Sequence, residues 1–217
     1  MIAVAFALEF EGAYFRAKYD ARLRLSIWHF GAMGVSAAAV AEKKLATSRP
    51  DLLISAGFAG ALQEPLAVGD LVIGQNYTDP AILERLDLSA RWKVGDLVTV
   101  PAILETEADK RRIGQESGAM VADMETQLLA DLCRAREVPM LSMRCISDAV
   151  ADDMPVPAPV LLNPKTGRPE PLLLFRHLIS NPTCVTGFNR LVKNSRAAQA
   201  GIASGLEEIL PQLLRIV

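Results

Sequence analysis

Short apolar runs alternate along this chain with longer stretches whose apolar residues recur at helical spacing, and no other feature limits the fold so tightly. Residues 2–7, 51–56, 120–122 and 139–146 are apolar without helical period and read as buried strands. Residues 23–30 alternate as a strand does, and residues 69–74 and 95–100 supply two more. Helical patterns cover residues 9–18, 35–47, 106–117 and 124–136. The third reads as a charged surface helix, and the last carries Met124, Leu128, Leu129, Leu132 and Cys133 on one apolar face. Residues 31–34 read as a turn, 57–62 as a glycine-bearing loop and 79–94 as irregular. Pro155, Pro157, Pro159, Pro164, Pro169 and Pro171 force an extended loop, after which helices at 171–180 and 187–214 finish the chain. Buried strands alternating with amphipathic helices predict an α/β sheet covered on both faces. No repeat or linker divides the pattern, so residues 1–217 read as one domain.

Composition narrows the function classes. Of the 217 residues, 51% are hydrophobic and 22% charged, an ordinary balance for a chain with a sizeable core. A net charge of -2 without a Lys/Arg run leaves no footprint for nucleic acid. Cys133, Cys145 and Cys184 are far apart and form no CxxC, so neither a disulfide framework nor a zinc site is indicated. His29 and His177 stand alone and read as satisfied or surface histidines, which leaves no metal expected. The apolar start lacks a basic residue and is broken by Glu9 and Glu11, unlike a signal peptide. No run reaches the length of a membrane span, so a reduced cytoplasmic compartment is the expectation.

Chemistry concentrates in two segments. Val121-Ala122-Asp123-Met124-Glu125-Thr126 is followed by Arg144-Cys145-Ile146-Ser147-Asp148, and each places an acid at a strand end or helix start. With Glu9 or Glu11 near the N-terminus, these carboxylates are the equipment for breaking an acid-labile bond such as a glycosidic one. The plainer roles are a turn or N-cap residue for Asp148 and a dipole-favoured first-turn acid for Glu125. Asp152 and Asp153 compete with Asp148 as the acid.

Four segments in order resemble the nucleoside phosphorylase and nucleosidase superfamily. They are Ala7-Leu8-Glu9-Phe10-Glu11; Ile54-Ser55-Ala56-Gly57-Phe58-Ala59-Gly60 with Val68-Gly69-Asp70; Asp123-Met124-Glu125-Thr126; and Arg144 through Asp152. The likeness spans residues 1–152, and the Met-Glu and Ile-Ser-Asp elements at this spacing carry most of its specificity. It implies a three-layer αβα sandwich around a central mixed β-sheet. It also implies that Asp148 protonates a departing purine near N7, with Ser147 orienting it, and that Glu125 accepts hydrogen bonds from the ribose hydroxyls while Met124 packs on the sugar. Glu11, with Glu9 as its rival, matches the position that activates the attacking water, and Arg144 matches an arginine that helps hold that water and the nearby acids. Phe58, Ala59, Gly60, Ile103 and Leu104 complete the implied substrate site, the last two where relatives sandwich the base. No cofactor is implied. A homo-oligomer, most often a dimer, is the family expectation.

The same resemblance frames the choice of nucleophile. Phosphorylases place an arginine just before the Gly-x-x-Gly loop, where this chain has Ser55. Phe58 stands where relatives have a small hydroxyl, and residues 31–36 contain no arginine. A phosphate dianion without a bidentate partner is poorly held, so hydrolysis is expected. Phosphorolysis stays as the alternative, because residues 31–36 offer backbone N–H groups at a helix start. A catalytically inactive nucleoside-binding protein is the alternative of another class. Asn163-Pro164-Lys165-Thr166-Gly167-Arg168-Pro169 and the prolines around it resemble the hopanoid-associated branch rather than the methylthioadenosine enzymes.

Overall fold

The first strand, β1 (Ile2–Phe6), alternates large and small apolar side chains, and this decides what covers each face of the sheet. Ile2, Val4 and Phe6 join a cluster with the long C-terminal helix, whereas Ala3 and Ala5 join a second cluster under two other helices. Small side chains on that second face let the helices approach closely. The computed structural model describes residues 1–18, 25–31, 35–161, 163 and 170–217, with only the backbone of Val35 and Ser36. Residues 32–34 and most of the 163–169 motif therefore lie outside the described residues, as do positions 23 and 24 of the second expected strand.

In chain order the elements are β1, α1 (Ala13–Lys18), β2 (Leu25–His29), α2 (Val35–Ser48), β3 (Leu52–Ala61) and β4 (Leu71–Gly74). A single 3₁₀ turn (Gln75–Tyr77) precedes α3 (Pro80–Leu83), β5 (Trp92–Gly95), β6 (Leu97–Thr99), α4 (Glu107–Ser117), β7 (Val121–Asp123) and α5 (Thr126–Arg134). The chain closes with β8 (Met140–Asp148), α6 (Ala158–Leu161), α7 (Pro171–Ser180) and α8 (Cys184–Ile216). Among the described residues eight strands form one sheet, ordered β2-β1-β3-β8-β4-β5, with β7 attached to β3 and β6 to β7. β1, β2, β3 and β8 run parallel, while β4 is antiparallel to β8 and β7 to β3, so the sheet is mixed. α8 and Phe15 of α1 cover one face; α2 and α5 cover the other. This is the expected three-layer αβα sandwich.

Five local expectations need correction, the first being the proline-rich 155–171 stretch, which is not wholly extended but holds the short helix α6. Residues 57–62 are not a loop: β3 runs on to Ala61 because its far end pairs with both β8 and β7, which no local pattern announces. Residues 79–94 hold α3, whose Asp79 side chain accepts from Ala81 N at 2.9 Å, and the start of β5. The first helix begins at Ala13 and not at residue 9, leaving residues 7–12 as turns. α8 starts at Cys184 and passes through Pro211 to Ile216.

Candidate active site

β1 stops at Phe6, level with the middle of β3, while β3 and β8 run on side by side to Ala61 and Asp148; the turn after β1 and these far strand ends surround a cavity of about 370 Å³. Open α/β sheets bind ligands at the carboxyl ends of their strands, where the loops diverge. Glu11, Phe58, Ala59, Gly60, Ile103, Leu104, Met124, Glu125, Ser147 and Asp148 all line this cavity. Of the residues expected from sequence to form the site, only Arg144 does not line it.

Glu11 sits in the turn after β1 and is 7% exposed, whereas its rival Glu9 is exposed to solvent. Leu8 N donates to its Oε2 at 2.8 Å and Phe58 N to its Oε1 at 3.1 Å. Burial raises the carboxyl's proton affinity above the ordinary value, offset by those two N–H groups and by Arg144. A Cβ on Gly57 would lie 3.1 Å from Glu11 Oε1, so β3 accommodates this carboxylate closely by having no side chain there.

Asp148 ends β8. The β3–β8 register runs evenly to Ala59–Ile146 and then shifts so that Gly60 pairs with Asp148. Ser147 is thus the extra residue of a bulge, a device that re-aims side chains at sheet ends. Its hydroxyl donates to Asp148 Oδ1 at 2.7 Å. Gly60 repeats the role of Gly57: a Cβ there would stand 3.0 Å from Asp148 Oδ2. The competing acids are structural among these contacts. Asp152 accepts from Ala149 N at 3.0 Å and Asp153 from Glu107 N at 2.7 Å, and neither lines the large cavity.

Glu125 stands at the N-cap of α5 yet makes no side-chain cap hydrogen bond. Asp123 caps instead, accepting from Thr126 N at 3.1 Å, which leaves the Glu125 carboxyl for the cavity. Met124 precedes the helix rather than sitting on its core face, and it too lines the cavity. Burial, followed by repulsion from Glu11 and Asp123, pushes Glu125 up to about 8, with Arg144 opposing.

Sequence reasoning gave Asp123 no role of its own. It is 5% exposed and accepts from Arg144 Nε at 2.8 Å and Nη2 at 2.6 Å, from Thr99 Oγ1 at 2.8 Å and from the Thr126 hydroxyl. Arg144 also donates to Ser55 O and Met143 O, both at 2.7 Å, to Ser55 Oγ at 2.9 Å and to Thr126 Oγ1. The arginine therefore lies beneath the cavity floor, and Ser55 is committed to it. Phe10 was also missed. It lines the cavity and meets Phe58 edge to face, ring centroids 5.6 Å apart. Among the described residues no lysine or arginine lines the cavity, and no group of His, Cys, Asp and Glu is placed to hold a metal ion.

Comparison with known proteins bears on the family and the fold. A family model described as the Phosphorylase superfamily matches residues 10–82 and 78–166. A 5′-methylthioadenosine/S-adenosylhomocysteine nucleosidase of Staphylococcus epidermidis is 25% identical over 130 residues, covering 46% of this chain and 57% of the relative. The chain thus spans little more than half the length of that relative. Among solved structures, the corresponding nucleosidase of Neisseria meningitidis in complex with methylthio-immucillin-A superposes with a TM-score of 0.70 at 18% identity. That match covers 96% of this chain and 97% of the other. Futalosine hydrolase of Helicobacter pylori gives a TM-score of 0.53 at 15% identity, over 68% of this chain and 87% of the other. At these identities the structural likenesses establish the fold.

The Glu125 environment makes a stability prediction. The unfolded chain holds this carboxyl near 4.5 and the folded chain near 8. Below about pH 4.5 both states carry the proton. Between the two values only the folded state keeps it, so stability falls as pH rises, and the loss is complete above about 8. Glu125→Gln removes that titration. The thermal midpoint of the variant relative to the parent protein should therefore climb steadily from pH 5 to pH 8 in calorimetric scans, and a constant difference would contradict the assigned environment.

Proposed function

Because the chain belongs to the Phosphorylase superfamily, we propose that its cavity hydrolyses the N-ribosidic bond of a purine nucleoside, of adenosine type and substituted at the 5′ position. The supporting observation is the convergence of Glu11, Glu125 and Asp148, carried by three distant segments, on one cavity with otherwise largely apolar walls. Breaking this bond leaves positive charge on the sugar and electrons on the base. Asp148, once it has taken up a proton from solvent, passes it to the purine at N7 as the C1′–N9 bond breaks and returns to a carboxylate; a pyrimidine has no such site. Water forms the new bond at C1′ while Glu11 takes its proton; burial makes Glu11 the stronger base. Glu125 hydrogen-bonds the ribose hydroxyls, and its ionised form, reached as pH rises toward about 8, stabilises the sugar as it becomes cationic. Ile103 and Leu104 flank the base, and Met124 the sugar.

Water is preferred to phosphate because Ser55 is bound to Arg144 and no described lysine or arginine reaches the cavity. Met154, Leu161 and Leu191 give the remaining wall an apolar surface suited to an uncharged 5′ substituent. The proposed acid–base steps use side chains alone and require neither metal nor organic cofactor. The same reading makes the protein a homodimer, as its family implies, working in the cytoplasm. Among the described residues no helix is long and apolar enough to cross a membrane.

Two measurements check the proposal. Free adenine released from 5′-methylthioadenosine or adenosine should appear at the same rate in phosphate-free buffer as in phosphate; strict phosphate dependence would overturn hydrolysis. Asp148→Asn should lower kcat by about 10²-fold with KM little changed, the signature of an interaction made only in the transition state. Near-parental turnover in that variant would remove Asp148 as the acid.

A further inference from the structure

Lys110 is a buried charge on a helix whose other charged residues face solvent. Around it on α4, Arg111 pairs with Glu107 and Arg112 with Glu116, all at solvent-facing positions. Lys110 instead points inward and is 1% exposed. Its Nζ lies 2.5 Å from Asp148 Oδ2 and donates to Ala149 O at 3.0 Å and Asp152 O at 2.8 Å. Those three partners match the three N–H groups of an ammonium. A buried cation is strongly unfavourable unless paired and hydrogen-bonded, so this site selects for the pairing.

We propose that Lys110 is a positioning residue for the acid of this site, holding the Asp148 carboxyl group in the orientation from which it serves the departing base. The proposal rests on the nucleosidase reading above. Asp148 is gripped from both sides, with Lys110 on Oδ2 and the Ser147 hydroxyl on Oδ1, and Gly60 leaves the space the carboxyl occupies. Without Lys110 the carboxyl group loses its charged partner and can rotate away. The two backbone carbonyls add a second constraint, because they tie the turn after β8 to α4. That helix leads through β7 into Met124 and Glu125, so one ammonium sets the spacing between the arm carrying the acid and the arm carrying the sugar-binding carboxylate. Lys110 does not line the cavity and touches no substrate.

The test compares two leaving groups. p-Nitrophenolate departs from p-nitrophenyl β-ribofuranoside without a proton, whereas a purine needs one. Lys110→Met should lower kcat for 5′-methylthioadenosine by about tenfold or more, with KM within about threefold, and leave p-nitrophenyl riboside turnover within about twofold. If Lys110 only braced the 149–152 turn, both substrates would suffer alike, and that result overturns the proposal, as does unchanged turnover of both. Should Lys110→Met not fold, Lys110→Arg keeps a cation but moves its donors, and the same purine-selective loss is expected of it; equal losses, or none, again overturn the assignment. Failure of the parental protein to release base from 5′-methylthioadenosine would instead refute the nucleosidase reading itself.

Discussion

One guanidinium makes the cavity possible. Glu11, Asp123 and Glu125 lie close together where burial disfavours charge, and Arg144 is the cation that opposes the raised proton affinity of both Glu11 and Glu125. Its pair with Asp123 is buried on both sides, with 3% and 1% of the side chains exposed. Removing one partner of such a pair strands the other and typically costs about 3–5 kcal/mol. Here the pair also fastens elements together. Arg144 on β8 reaches β3 through Ser55, β7 through Asp123 and the first turn of α5 through Thr126. Compensation is incomplete in electrostatic terms: one arginine faces three acids, and the excess is expressed as raised proton affinity at Glu11 and Glu125, beside the place where a cationic sugar would form.

The sheet supplies the geometry around that charge. β3 places Gly57 and Gly60 three residues apart, each backing a carboxylate that a side chain would displace. The β8 bulge frees Ser147 to orient Asp148, and Asp123 takes over helix capping so that Glu125 need not. Each acid is thus held by something other than substrate: Glu11 by two backbone N–H groups, Asp148 by a hydroxyl and an ammonium, Glu125 by its place at the head of α5. Groups fixed before substrate arrives need no reorganisation during reaction.

Much of this was legible in the sequence, because the signals were local. Apolar runs revealed β1, the start of β3 and β8, and the Met-Glu and Ser-Asp elements stood at segment ends where side chains face a pocket. What escaped depends on contacts between distant segments. Residues 57–61 look like a flexible glycine loop until β7 and β8 pair with them. Asp123 and Glu125 are both acids at a helix start, and only the fold decides which one caps. Lys110 sits in Glu107-Ala108-Asp109-Lys110-Arg111-Arg112, a run that reads as solvated. Its phase with Gly114, the other buried position of α4, was the one available hint of an inward face.

The site depends on mutual proximity of the carboxylates, and Glu125 reports on it directly. Carbon-13 spectra of protein labelled at the glutamate side-chain carboxyls should show Glu125 titrating near pH 8, and Glu11→Gln should move that midpoint toward 4.5, since repulsion from Glu11 is the largest cause after burial. A Glu125 midpoint already near 4.5, or one indifferent to Glu11→Gln, would mean that the acids do not share a site.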